Sequence, residues 1–159
     1  MGRRSGKELI QIRHIHVVEG SSSHAEQEES EMGTATAIVQ EVYEAFGRAD
    51  VPKILSFIAD EVDWEFVGSA GLPYAGRRRN PAEVADFFSA VASTDDIRAF
   101  EPREFLEADG HVTVLGWESA TARDTGNEFE SEWIHVFSLK DGKITRWRGL
   151  FNTAARYGK

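Results

Sequence analysis

The chain has 159 residues, enough for one domain with a single core, and its 41% apolar and 11% aromatic content suits a folded protein. A balance of 18 basic against 27 acidic residues gives a net charge of -9, which disfavours nucleic acid or an anionic membrane as the main partner. The absence of cysteine excludes disulfides, thiolate metal sites and cysteine nucleophiles, and no run approaches the roughly 18 apolar residues of a membrane span.

Leu9 to Val18 is interrupted by Arg13, His14 and His16, a poor signal-peptide core, so a soluble cytoplasmic protein is the default expectation. His14-x-His16 reads as part of a floppy or strand-like tail and not as a chelate. Residues 20–31 are polar, acidic and low in complexity, the composition of a disordered linker. The expectation is a dispensable extension over 1–31, with Met32 a candidate true start, and one folded domain over 32–159.

From Thr34 the apolar spacing turns helical through Ile38, Val39, Val42, Tyr43 and Phe46, with Gly47 as a C-terminal signal. Asp50 and Pro52 then open a second helix with the stripe Ile54, Leu55 and Ile58. A strand follows, with Val62, Trp64 and Phe66 on one face and Asp63 and Glu65 on the other. Gly68 to Gly76 is a loop. Asn80-Pro81-Ala82-Glu83 is a capping box opening a third helix, whose stripe is Val84, Phe87, Phe88 and Val91.

Four strands complete the chain, at about 97–107, 111–123, 128–139 and 143–152. Asp109-Gly110, Thr125-Gly126-Asn127 and Asp141-Gly142 supply the turns. Period-2 geometry puts Phe129, Ser131, Trp133, His135, Phe137 and Leu139 on one face of the third of these strands. Glu128, Glu130, Glu132, Ile134 and Val136 take the other, where pairing with Arg146 and Arg148 is expected. His135 is therefore one ionisable group among buried aromatics. It is either a satisfied core histidine or the polar group of a pocket. The layout is α+β, with helices over one face of a curved, mostly antiparallel sheet.

Several stretches resemble the nuclear transport factor 2-like superfamily, which includes ketosteroid isomerases and SnoaL-like cyclases. They are Tyr43 to Asp50, Asp60 to Phe66, Gly71 to Gly76, Pro81 to Phe88, and Trp133 to Phe137 with Asp141 to Ile144. The resemblance covers about residues 34–155. It implies a cone-shaped barrel, cystatin-like, whose curved sheet wraps a long N-terminal helix around an apolar cavity. It also implies a homodimer through the outer sheet face. On the isomerase pattern the base position falls on Phe66, which cannot move a proton. The tyrosine position falls on Val42, beside Tyr43, and the protonated-acid position on His135. Steroid isomerase chemistry is therefore not expected.

His135 is the foremost candidate for acid–base work, because an imidazole among apolar neighbours stays neutral near pH 7. Tyr43 either hydrogen-bonds His135 or a ligand oxygen, or sits at the flank of its helix with its hydroxyl in water. Trp64, Phe66, Tyr74, Trp133, Trp147, Phe151 and Trp117 are the expected ligand-binding wall, although strand 111–123 is apolar on both faces and the side of Trp117 cannot be read. Arg77, Arg78 and Arg79 read as a solvated loop near the rim. No motif calls for a cofactor or a metal. The expected partner is a small hydrophobic molecule, handled by a cofactor-independent isomerase, cyclase or hydrolase, or held by a non-catalytic binding module. Nucleic acid and membrane are not expected partners.

Overall fold

A computed structural model describes residues 25–159, with side chains from Gly33 onward. The readings made on residues 1–24, His14 and His16 included, lie outside the described residues. Helix α1 (Ala25–Gly47) starts well before Thr34. Ala25 and the Glu and Gln residues after it are strong helix formers, so the backbone is helical before the apolar stripe begins. Along that stripe Val39, Val42, Tyr43 and Ala45 are buried.

The helix ends in a Schellman motif: Asp50 N–H donates to Ala45 C=O at 2.8 Å and Ala49 N–H to Phe46 C=O at 3.0 Å. The left-handed position is taken by Ala49, at φ 56°, and not by Gly47. Helix α2 (Val51–Leu55) is capped by Asp50, whose side chain accepts from Lys53 N–H at 3.1 Å. Ile58, expected in this helix, instead opens strand β1 (Ile58–Phe66). Ile144 N–H donates to Phe57 C=O at 2.7 Å, which draws this stretch into the sheet.

Strand β2 (Gly76–Arg78) forms at the end of the expected loop. Asn80 caps helix α3 (Pro81–Thr94), accepting from Glu83 N–H at 2.9 Å. The Glu83 carboxylate accepts from Arg79 N–H, one residue ahead of the cap. Then come β3 (Asp95–Ala108), β4 (His111–Ala122), β5 (Glu128–Lys140), β6 (Lys143–Phe151) and the short α4 (Thr153–Arg156). Asp109-Gly110 and Asp141-Gly142 both have positive φ at two successive residues, the type I′ geometry that suits a twisted hairpin.

The six strands run in the order β2-β1-β6-β5-β4-β3. All pairs are antiparallel except β1 with β6, which is parallel. The fold class is the expected α+β arrangement of an N-terminal helix and a curved sheet. The sheet is not closed into a barrel: β2 and β3 are its edges. Register shifts at Ile97/Ala99 and Pro102/Glu104 in β3 and at Ser138/Leu139 in β5 mark the irregularities that bend it. Helices α1 and α3 lie against the sheet.

Two glycines let aromatic rings lie flat on the sheet. A Cβ at Gly116 would fall 2.1 Å from the Trp133 ring, its register partner, and one at Gly149 would fall 2.2 Å from Trp147. In β4 Val112, Val114, Gly116, Glu118, Ala120 and Ala122 point inward. Trp117 therefore lies on the outer face, half-buried beneath Arg103 at 5.2 Å.

The expected pairing of Arg146 and Arg148 with the β5 glutamates is not formed. Register sets Asp63 beside Arg146 and Glu65 beside Arg148, so the β1 carboxylates take both. The distances are 2.7 Å for Arg148–Asp63, 3.5 Å for Arg148–Glu65 and 3.8 Å for Arg146–Asp63. Glu128 pairs with Arg98 of β3 at 2.8 Å.

Candidate functional site

Between α1, α3 and the inner face of the sheet lies an aromatic cavity of about 80 Å³. Of the residues expected to form a site, Tyr43, Trp64, Phe66, Tyr74, Trp133, His135, Trp147 and Phe151 all line it. Trp117 does not, because β4 register turns it outward. The walls are stacked rings. Trp133 packs flat on Phe100 (4.6 Å, 15°) and on His135 (4.2 Å, 23°), and Trp64 packs on Trp147 (4.3 Å, 19°). The indole nitrogens of Trp64 and Trp133 are fully occluded and have no hydrogen-bond partner among the described residues.

The polar centre of this wall joins α1 to β5. Tyr43 Oη lies 2.7 Å from His135 Nδ1, with the two rings nearly parallel. Burial raises the Tyr43 pKa well above its ordinary value, so the phenol keeps its proton. It has no other acceptor among the described residues and donates to Nδ1. His135 is then the tautomer with hydrogen on Nε2, a nitrogen that has no protein partner among the described residues and is not occluded. Burial pulls the His135 pKa down to about 3. At neutral pH the imidazole is uncharged and presents an N–H donor.

A second polar cluster escaped the sequence reading. Asp95, first residue of β3, is buried, accepting from Tyr74 Oη at 2.6 Å and from Arg156 Nε at 2.8 Å. Arg156, also buried, reaches Asp124 at 3.0 Å as well. Burial, then the hydrogen bond from Tyr74 to Asp95, raises the Tyr74 pKa. Glu118 of β4 lines the cavity beside this cluster; burial and then the charge of Asp95 push its pKa up to about 8. Gly116, Ala120 and Ala122 share its face of β4, but small residues alone do not say which face is inward.

The rim residues do not enter the cavity. Arg77 pairs with Glu65 at 3.1 Å, and Arg78 donates to the carbonyls of Tyr74 and Ala75 while covering Phe87. Asn152 caps α4 through Ala154 N–H. Outside the cavity, and sharing Phe46, Phe88, Val91, Asp95 and Ile97 with it, is a hollow of about 260 Å³ that reaches Arg123. Among the described residues no group of three His, Asp or Glu could hold a metal ion, and no helix is long and apolar enough to cross a membrane.

Residues 39–147 match the model of a family described as SnoaL-like domain. No curated protein sequence matches the chain. Among solved structures, an NTF2-like protein from Burkholderia xenovorans is 26% identical, with a TM-score of 0.72 over 80% of this chain and 95% of that one. An NTF2-like protein of unknown function from Burkholderia pseudomallei is 29% identical, with a TM-score of 0.70 over 76% and 92%. TerC, co-crystallised with polyporic acid, is 25% identical, with a TM-score of 0.69 over 79% and 96%.

Proposed function

Since the chain belongs to the SnoaL-like domain family, with an NTF2-like fold, we propose that its cavity binds a small, largely apolar molecule and performs acid–base chemistry on an oxygen function of it. The observation that carries this reading is the Tyr43–His135 hydrogen bond of 2.7 Å inside an aromatic wall. Tyr43 holds the imidazole in one tautomer and leaves Nε2–H aimed at no protein group. A neutral imidazole of this kind polarises a carbonyl, or stabilises an oxygen on which negative charge develops, without needing to become charged itself. Isomerisation, cyclisation and hydrolysis all pass through such an oxygen. The co-crystallisation of TerC with polyporic acid supports a small-molecule occupant for a cavity of this fold.

The test is deuterium exchange at the carbons beside the carbonyl of cyclopentanone in D2O, with a buffer base taking the carbon-bound proton while Nε2–H holds the developing enolate oxygen, followed by NMR with the whole chain added. Wild type should accelerate exchange, and His135→Phe should lose about 10²–10³-fold of that acceleration, the usual cost of removing one oxyanion donor. Binding of the ketone without acceleration would instead favour the non-catalytic binding module. The residue that favours this second reading is Phe66, which stands in the cavity wall where the resemblance puts a base.

The homodimer implied by the resemblance belongs to the same proposal. Ile134 (39% exposed) and Leu150 (40% exposed) are register partners on β5 and β6 and form an apolar spot on the outer sheet face. Sedimentation should show a dimer that Leu150→Glu converts to monomer; a wild-type monomer at micromolar concentration removes the pairing.

A further inference from the structure

The cavity has a second polar end that no group among the described residues satisfies. Glu118 is 7% exposed and lines the cavity, and its carboxyl has no hydrogen-bond partner among the described residues. Neither of its oxygens is among the fully occluded unpartnered atoms, so the group opens to the cavity. The nearby cation is committed elsewhere: Arg156 is bound to Asp95 and Asp124, and Tyr74 donates to Asp95. A buried carboxyl left in this state is destabilising, and a ligand hydroxyl or carbonyl would relieve it.

Strand register places this group relative to His135. His135 faces Val114 across the β4–β5 ladder, and Glu118 faces Ser131. Four residues of strand separate the two positions, about 13 Å at the usual rise. An atom bonded to an oxygen held at Nε2 is too far away for Glu118 to reach, so the two groups serve opposite ends of the occupant. Between their registers lies Trp133, flat against Phe100, with the Trp64–Trp147 stack also in the wall. Flat walls select a flat body.

We propose that Glu118 is the second pole of the cavity, and that the site takes a flat, ring-containing molecule bearing an oxygen function at each end, one meeting His135 Nε2–H and the other the Glu118 carboxyl. This rests on the pocket reading given above. Burial beside Asp95 keeps Glu118 an uncharged acid at neutral pH, so it can donate to a carbonyl or accept from a hydroxyl. The volume of about 80 Å³ favours a single ring. An apolar cavity of roughly 150 Å³ is known to take benzene, so even one ring needs Phe46 and Phe88 to yield toward the outer hollow.

The test compares 4-hydroxybenzyl alcohol with 4-ethylphenol, which match in size and differ by one oxygen, as ligands of the whole chain in calorimetry. Glu118→Met should shift the affinity ratio about tenfold toward 4-ethylphenol, the worth of one hydrogen bond. Glu118→Gln, which keeps a donor and an acceptor, should hold the wild-type ratio. His135→Phe should weaken both probes alike. Glu118→Met should also melt at a higher temperature than wild type, so loss of folding does not confuse the result. An unchanged ratio in Glu118→Met, with His135→Phe still weakening both probes, overturns the second pole and leaves the reading of His135 standing. Failure of both probes to bind wild type at millimolar concentration overturns both.

Discussion

His135 and Glu118 answer to pH in opposite senses, although both are held uncharged by burial at neutral pH. The folded-state pKa of His135 lies near 3 against an ordinary 6.5. Its neutral form is favoured in the fold, so its contribution to stability is full above pH 6.5 and is lost as pH falls toward 3. The pKa of Glu118 lies near 8 against 4.5. Its protonated form is the one the fold accommodates, so stability falls as pH rises from 4.5 to 8, by an amount on the order of 5 kcal/mol. The charged and titratable groups around it are Asp95, with Arg156 and Tyr74 bound to that carboxylate. Urea denaturation at pH 5 and pH 8 should show Glu118→Gln gaining most at pH 8. Denaturation at pH 4 and pH 7 should show His135→Phe less acid-sensitive than wild type. In ¹⁵N-resolved spectra wild-type His135 should appear as the Nε2–H tautomer, and Tyr43→Phe should release it to a mixture. Single residues were legible from sequence where one face was clearly apolar, as for Trp133 and His135 on β5. Glu118 was hidden because a charged side chain on a strand is read as outward by default, and only tertiary burial says otherwise.

At the scale of elements, the turns and caps carried the clearest sequence signals, because they rest on local backbone chemistry. Asp109-Gly110, Asp141-Gly142 and the Asn80 cap all form where their residue types require. The end of α1 did not follow its glycine. Gly47 stays helical, and Ala49 takes the left-handed position because the Asp50 N–H must reach Ala45 C=O before α2 turns away. Ala49→Gly should therefore stabilise the protein by about 1 kcal/mol in urea denaturation. Gly116→Ala should do the reverse. Its Cβ would strike the Trp133 ring, and overpacking of this kind costs about 1–3 kcal/mol. A near-UV circular dichroism change should accompany that loss, because the ring that moves is the one stacked on His135. Strand β4 marks where reading fails at this scale. Valine, leucine and tryptophan occupy both of its faces, so only pairing with β5 decides that Trp117 faces out and Glu118 in.

For the whole molecule, the α+β architecture was readable because long amphipathic stretches in a fixed order leave few ways to cover one sheet. The parallel joining of β1 to β6 was not, since it depends on residues distant in the chain. Arg156 belongs to that long-range order too, tying α4 to the start of β3. Arg156→Met should cost about 3–5 kcal/mol by taking the cation away from buried Asp95, measurable as a lowered urea midpoint. The parallel seam has one more consequence. It joins the first strand of the sheet to the last, and at its centre Trp64 is the register partner of Trp147, the pair stacked in the cavity wall. Contacts so far apart in sequence form late and slow the search, which places folding on the scale of roughly milliseconds to seconds. A nascent or partly folded chain thus holds no site at all. Competence to bind is itself a report that the last strand has arrived, and the optical coupling of those two indoles is the signal by which its arrival can be timed.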